Sequence, residues 1–173
     1  MKNIRKTNEI VRESITIALI EKMKKKEIKD ISVVELVEKA GVGRVSFYRN
    51  FSGKEDVIRQ HLDAITDDFI YQTGIDYYKL DIKSYITLLF THLYHHRELA
   101  EILIKSNILH LVKDEFDRIF LKKDIQNAGK YNLYFLAGGL YNIFYHWAME
   151  GFNEMPETLA DMIVKNSRNT HTF

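Results

Sequence analysis

Val33, Val34, Leu36, Val37 and Ala40 recur every three to four residues, the spacing that lines apolar side chains along one face of a helix. Ser32 stands ahead of this run with Glu35 three residues later, a pairing in which the hydroxyl caps the first free amides and the carboxylate completes a capping box. A short helix is therefore predicted to begin at Ser32. Gly41 follows Ala40 where helices commonly end in a left-handed residue, a conformation that is cheap only without Cβ, and it predicts the stop. Val42 is expected to plug the elbow before a second helix with one buried side chain. In that second helix, over residues 44–51, the spacing buries Val45 or Phe47 together with Phe51. Arg44, Ser46, Tyr48, Arg49 and Asn50 are left outward.

The helical period extends to both sides. A first helix is predicted over residues 7–23, with Ile10, Ile15, Ile17, Ala18, Leu19 and Met23 packing over the pair and Ile28, Ile31 and Phe51 closing a small core. A long fourth helix follows over 53–73, opened by the acidic pair Glu55 and Asp56, and further helices over 82–95, 98–105, 108–120, 129–151 and 156–166. Strict alternation of apolar and polar residues is absent over any useful length, and one Pro and eight Gly leave long stretches free to be helical. The predicted fold is all-α: a three-helix head over residues 1–52, joined by the long helix to a helical body over residues 53–173.

Composition narrows the class. A chain of 173 residues with 46% hydrophobic content is long and apolar enough for a proper core, which excludes a disordered tail protein. With no Cys there is no disulfide framework and no thiolate chemistry. The start, MKNIRKTNEIVRES, lacks a signal peptide's apolar run, and no segment reaches the roughly 18 apolar residues of a membrane span. These features predict a cytoplasmic protein with no membrane partner. No nucleophile elbow, acid–base constellation or glycine-rich phosphate loop is visible, so neither an enzyme nor a cofactor is expected.

Charge adds a direction. The first 60 residues hold 14 of the 25 Lys and Arg but only 9 of the 24 Asp and Glu, a net +5, which leaves −4 for the rest. A basic amino-terminal third suits phosphate attraction, and an acidic body would be kept from DNA. Lys22, Lys24, Lys25 and Lys26 are expected to form a solvated helix end instead of a phosphate site. The two short helices thus have the layout of a DNA-reading helix-turn-helix. Arg bridges two acceptors on a guanine edge, Ser and Asn reach base edges or phosphates, and a Tyr hydroxyl donates to phosphate. Lys54, at the start of the fourth helix, is placed to face a phosphate. A short helix, a glycine turn and a second helix also occur in all-helical proteins without a DNA partner.

Residues 40–57, AGVGRVSFYRNFSGKEDV, resemble the TetR family of bacterial transcription regulators: Ala-Gly-Val, small polar, basic, small, Ser/Thr, apolar, Tyr, two variable positions, Phe, then Lys-Glu. The resemblance covers residues from about 10 to 58. It implies a backbone contact for Ser32, major-groove positions for Arg44, Ser46 and Arg49, and phosphate contacts for Tyr48 and Lys54. It also implies a homodimeric repressor of a palindromic operator in double-stranded DNA, released by an effector bound in the C-terminal domain. Gly43 and Val45 depart from the pattern, where the family generally has Ser or Thr and Gly or Ala. Gly43 weakens the cap of the second helix by a few tenths of a kcal/mol relative to Ser. Val45 either meets a thymine methyl or holds the helix slightly out of the groove.

The segment KYNLYFLAGGLYNIFYHWAMEGF, residues 130–152, is apolar or aromatic on nearly every face and needs burial all round. One face is expected to pack on its own body. The other is expected to meet a second copy through Tyr134, Gly138, Tyr141, Tyr145 and Trp147, an ordinary core helix being the alternative. A ligand pocket is expected among Tyr78, Tyr85, Phe90, His92 and Phe116, although aromatics at this spacing are more often core. His92, His95 and His96 lack a further ligand at a recognised spacing and read as surface histidines, not a metal site. The Gly138, Gly139, Trp147, Gly151 and Pro156 pattern is loosely similar to that of regulators of dihydroxyacetone-kinase operons. With a body short for the family, it motivates a protein partner as the effector; a helical interaction module without DNA binding is the remaining alternative.

Overall fold

A computed structural model of the chain describes residues 2–73, 81–121 and 130–169. The regular structure among them is all-helical: α1 Lys2–Met23, α2 Val33–Ala40, α3 Arg44–Asn50, α4 Lys54–Thr73, α5 Ile82–His95, α6 Arg97–Lys105, α7 Val112–Leu121, α8 Lys130–Met149 and α9 Pro156–Asn169. Short 3-10 turns occupy Ile28–Asp30 and Leu109–Leu111. The helix expected over 108–120 therefore begins as that second turn, after Asn107 has taken a left-handed φ of 56°. No helix among the described residues is long and apolar enough to cross a membrane.

Two compact units divide the chain, one of Met1–Ile65 with Ile102–Leu111, the other of Thr66–Glu101 with Val112–Phe173. The division falls inside α4 and α6, away from residue 52. In the first unit α1 packs on α2 and α3. Ile15, Ala18, Leu19 and Met23 form its inner stripe, at the i, i+3, i+4 and i+8 positions of one helix face. Ile10 and Ile17, expected on that stripe, are exposed. Ile17 lies two positions past Ile15, about 200° round the axis and off the inner stripe. Ile28, Ile31, Leu36, Val37, Phe47 and Phe51 complete the core as expected, each such burial contributing about 1.5–3 kcal/mol. Val34 is exposed, and Val42 only half-buried.

The second unit pairs α7 with α8 and α5 with α9. Leu133, Ala137, Leu140, Phe144, Trp147 and Ala148 form the buried face of α8. Its other face is exposed through Tyr131, Tyr134, Phe135 and Met149, so the all-round burial suggested by composition is met on one side only. Gly151 ends this stretch at a φ of 84°, and Phe152 turns back with its N–H donating to the Trp147 carbonyl at 2.9 Å.

Candidate nucleic-acid interface

Three local features set the ends of α2 and the start of α3. Ser32 Oγ accepts the Glu35 N–H at 3.2 Å and so caps α2. The Glu35 carboxylate does not reach back to the Ser32 amide in the expected box; its Oε2 meets the Ser32 hydroxyl at 3.4 Å, while Oε1 holds Lys26 at 2.5 Å and Lys22 at 3.4 Å. The Lys26 ammonium, more than Lys22, holds this carboxyl well below its ordinary range, at about 2. Two of the four lysines expected to form a solvated end are thus ion-paired. Gly41 then adopts φ 68° and ψ 30°, its N–H returning to the Glu38 carbonyl and that of Val42 to Val37 at 3.0 Å. This double bond pattern is a Schellman stop. Gly43 follows in an extended conformation as the cap of α3, supplying no side-chain hydrogen bond.

Phe47 and Phe51, four residues apart, anchor α3 from behind with ring centroids 5.9 Å apart. Spacing alone left Val45 or Phe47 as the inward residue; Phe47 is wholly buried and Val45 is 71% exposed. Arg44, Tyr48 and Arg49 are exposed with it, and Ser46 is half-buried. Positions 44, 45, 48 and 49 lie on one side of the helix, so these four side chains form a single outward face. Tyr48 stands edge-on against the Phe47 ring at 5.2 Å, which steadies the phenol without burying its hydroxyl end. Asn50 turns inward instead, its Nδ2 donating to the Ser46 carbonyl at 2.8 Å.

Lys54 also departs from the expected geometry. Its ammonium donates to the carbonyls of Ile28 at 2.6 Å, Ile31 at 2.5 Å and Lys29 at 3.3 Å, which uses all three protons on the backbone. It clamps the turn before α2. Asp56 accepts the Ser52 N–H at 2.7 Å and takes Gln60 Nε2 at 3.2 Å, as the helix-start reading of the acidic pair anticipated. Gln60 in turn accepts from Arg12, whose guanidinium lies 5.9 Å from the Phe51 ring centroid. Sequence reasoning missed Arg12, Gln60 and Ser106, whose Oγ accepts the buried Ile28 N–H at 3.2 Å. Separations of 48 and 78 residues leave no signal in a local pattern.

The aromatic candidates of the second unit are packed core. Tyr85 meets Phe120 at 5.7 Å, Phe90 meets Trp147 at 5.6 Å, and Phe116 lies 5.8 Å from both Tyr141 and Phe144. His92 is half-buried against Phe69 at 4.6 Å and His96 at 4.8 Å, so it is not the surface histidine expected. Tyr78 lies outside the described residues. A pocket of about 450 Å³ opens instead on the first unit, walled by Arg12, Ile17, Ile20, Phe51, Gln60 and Ala64 among others; none of the described candidates lines it.

Of the residues assigned to a subunit contact, Tyr134 and Gly138 are exposed on α8, and Tyr141 and Tyr145 are half-buried. Trp147 does not face outward. It is 3% exposed, stacks with Tyr94 at 5.8 Å, and donates its indole N–H to the Glu154 carbonyl at 3.2 Å. Its place on the inner stripe with Leu140 and Phe144 commits it to its own chain. No family model and no curated protein matches the chain.

Proposed function

We propose that the chain is a DNA-binding transcriptional regulator of the TetR type, a homodimeric repressor of a palindromic operator that lets go when an effector binds its C-terminal body. The observation that carries this reading is the outward face of α3, where Arg44, Val45, Tyr48 and Arg49 are exposed together on a helix anchored from behind by Phe47 and Phe51. A helix fixed in this way after a tight turn fits a major groove, its guanidinium groups suiting guanine edges or phosphates and its phenol a phosphate. The basic amino-terminal third supplies the attraction. Reading both halves of a palindrome takes two copies, and the exposed Tyr131, Tyr134 and Phe135 face of α8 is the surface offered for the second. The effector would act by preferring one of two states of the dimer. The role calls for no catalysis and no cofactor.

A second reading keeps the DNA contact but replaces the small-molecule effector with a protein partner. It is favoured by the packing of Tyr85, Phe90 and Phe116, whose ring faces are taken up by neighbouring side chains.

Selection of bound duplexes from a random pool, followed by affinity measurement across salt concentrations, tests the DNA reading. Arg44→Ala combined with Tyr48→Phe is expected to weaken binding at least tenfold, about 1.4 kcal/mol, and to flatten the salt dependence. Unchanged affinity and salt slope in that variant would exclude this face.

A further inference from the structure

We infer that Val45 is a specificity-determining residue that reads the 5-methyl group of a thymine in the bound half-site, an inference that rests on the DNA-binding reading above. Val45 is 71% exposed on the second residue of α3, although its neighbours Phe47 and Phe51 show that this helix has an inner face to offer an apolar side chain. Burial does not explain it. Helix stability does not either, since a β-branched residue is a poorer helix former than the Ala or Glu that would serve on an open face. What distinguishes the position is its company. Arg44 precedes it, and Tyr48 and Arg49 lie one turn on, all exposed on the same side.

Any duplex that takes these three polar groups would be brought against Val45 as well. An isopropyl group neither donates nor accepts a hydrogen bond, so on a base edge it distinguishes only by apolar contact. In the major groove the one apolar group on a base edge is the thymine methyl. Cytosine presents an amino donor at the neighbouring ring position and no methyl, and it would strand that donor against the isopropyl group. Val45 thus favours thymine by attraction and disfavours cytosine by leaving a polar group unpaired.

Deoxyuridine lacks only this methyl, which makes the contact measurable one atom group at a time. Wild-type protein and Val45→Ser are each titrated with the duplex recovered from a random pool and with a set in which every thymine of one half-site is replaced in turn by deoxyuridine. One replacement is expected to weaken the wild type roughly three- to tenfold while leaving Val45→Ser unchanged. Because the side chain is exposed, the variant is expected to melt with the wild type, and circular dichroism checks this before titration. Deoxyuridine replacements that are all neutral for the wild type, or a loss equally large in Val45→Ser, would overturn the inference while leaving DNA binding intact. Recovery of no duplex by the wild type would overturn both readings together.

Discussion

Lys54 Nζ lies 2.6 Å from the carbonyl oxygen of Ile28, joining the first residue of α4 to the 3-10 turn ahead of α2. With the Ile31 and Lys29 carbonyls also in reach, a single ammonium gathers three carbonyls of that turn, Ile28's also accepting the Ile31 N–H at 3.3 Å. The buried Ile28 N–H is met separately by Ser106. Both polar ends of Ile28 are therefore met by side chains far away in the chain, in addition to the local Ile31 N–H on its carbonyl, and α2 starts from a fixed point.

Replacing Lys54 by Met keeps the aliphatic stem and removes the three donors. Charge-assisted bonds to partly buried carbonyls support a loss of about 1–3 kcal/mol, read as a lower midpoint in urea. If Lys54 were instead a phosphate contact, Lys54→Met would flatten the salt dependence of DNA binding by about one unit of slope with little change in stability. The geometry predicts the first outcome. Ser106→Ala is a companion test, expected to cost about 1–3 kcal/mol by stranding a buried amide.

Features set by residues within about five positions of one another were legible in the sequence. The Ser32 cap, the Gly41 stop, the Asp56 start signal and Pro156 at the head of α9 all follow from local backbone needs. The inward choice of Phe47 over Val45 was half legible, because Phe51 shares a helix face with the residue four before it and not six. The Lys54 clamp was not legible because its partners lie 23 to 26 residues back, in a turn without a strong signature. The same holds for Trp147. Periodicity makes α8 apolar on several faces, and only the partners Phe90, Tyr94 and Phe152 decide which face turns inward.

Gly43 caps α3 without a side chain, at φ −83° and ψ 153°, and an added Cβ meets nothing within 4 Å. Gly43→Ser is expected to raise stability by a few tenths of a kcal/mol through a new bond to a free amide of the first turn. Gly41→Ala has the same open surroundings but a left-handed backbone, so its expected cost, about 1 kcal/mol, is conformational alone. Equal melting temperatures for the two variants would contradict this assignment of the two glycines.

Trp147 is buried and Phe135 exposed on α8, and the two should respond oppositely. Trp147→Ala removes a buried ring and its bond to Glu154, with an expected loss of about 3–5 kcal/mol in folding stability. Phe135, 84% exposed, touches little of its own chain. Phe135→Ser is expected to leave the unfolding of a dilute sample nearly unchanged but to shift sedimentation toward the monomer. A Phe135→Ser protein that sediments as the wild type at every concentration would remove this face from the proposed subunit contact.

His92 gives the molecule an acid response with a defined window. Burial, then the neighbouring His96 and His95, push its imidazole down from 6.5 to about 4, with Asp68 pulling the other way. His96 is lowered too, by burial and His95. An unfolded chain takes these protons near pH 6.5, but the folded His92 takes its own only near 4. Between those values the unfolded state binds more protons, so stability present above pH 6.5 is lost progressively as the pH falls toward 4. Glu35 does not confuse the result, since its lowered carboxyl withdraws stability only below its ordinary 4.5. Thermal melts between pH 7.5 and 4.5 at constant ionic strength are therefore expected to fall for the wild type. His92→Phe keeps a ring against Phe69 and removes the titrating group, and its melting temperature should decline less over the same range. A decline as steep as the wild type's would place the acid sensitivity away from His92.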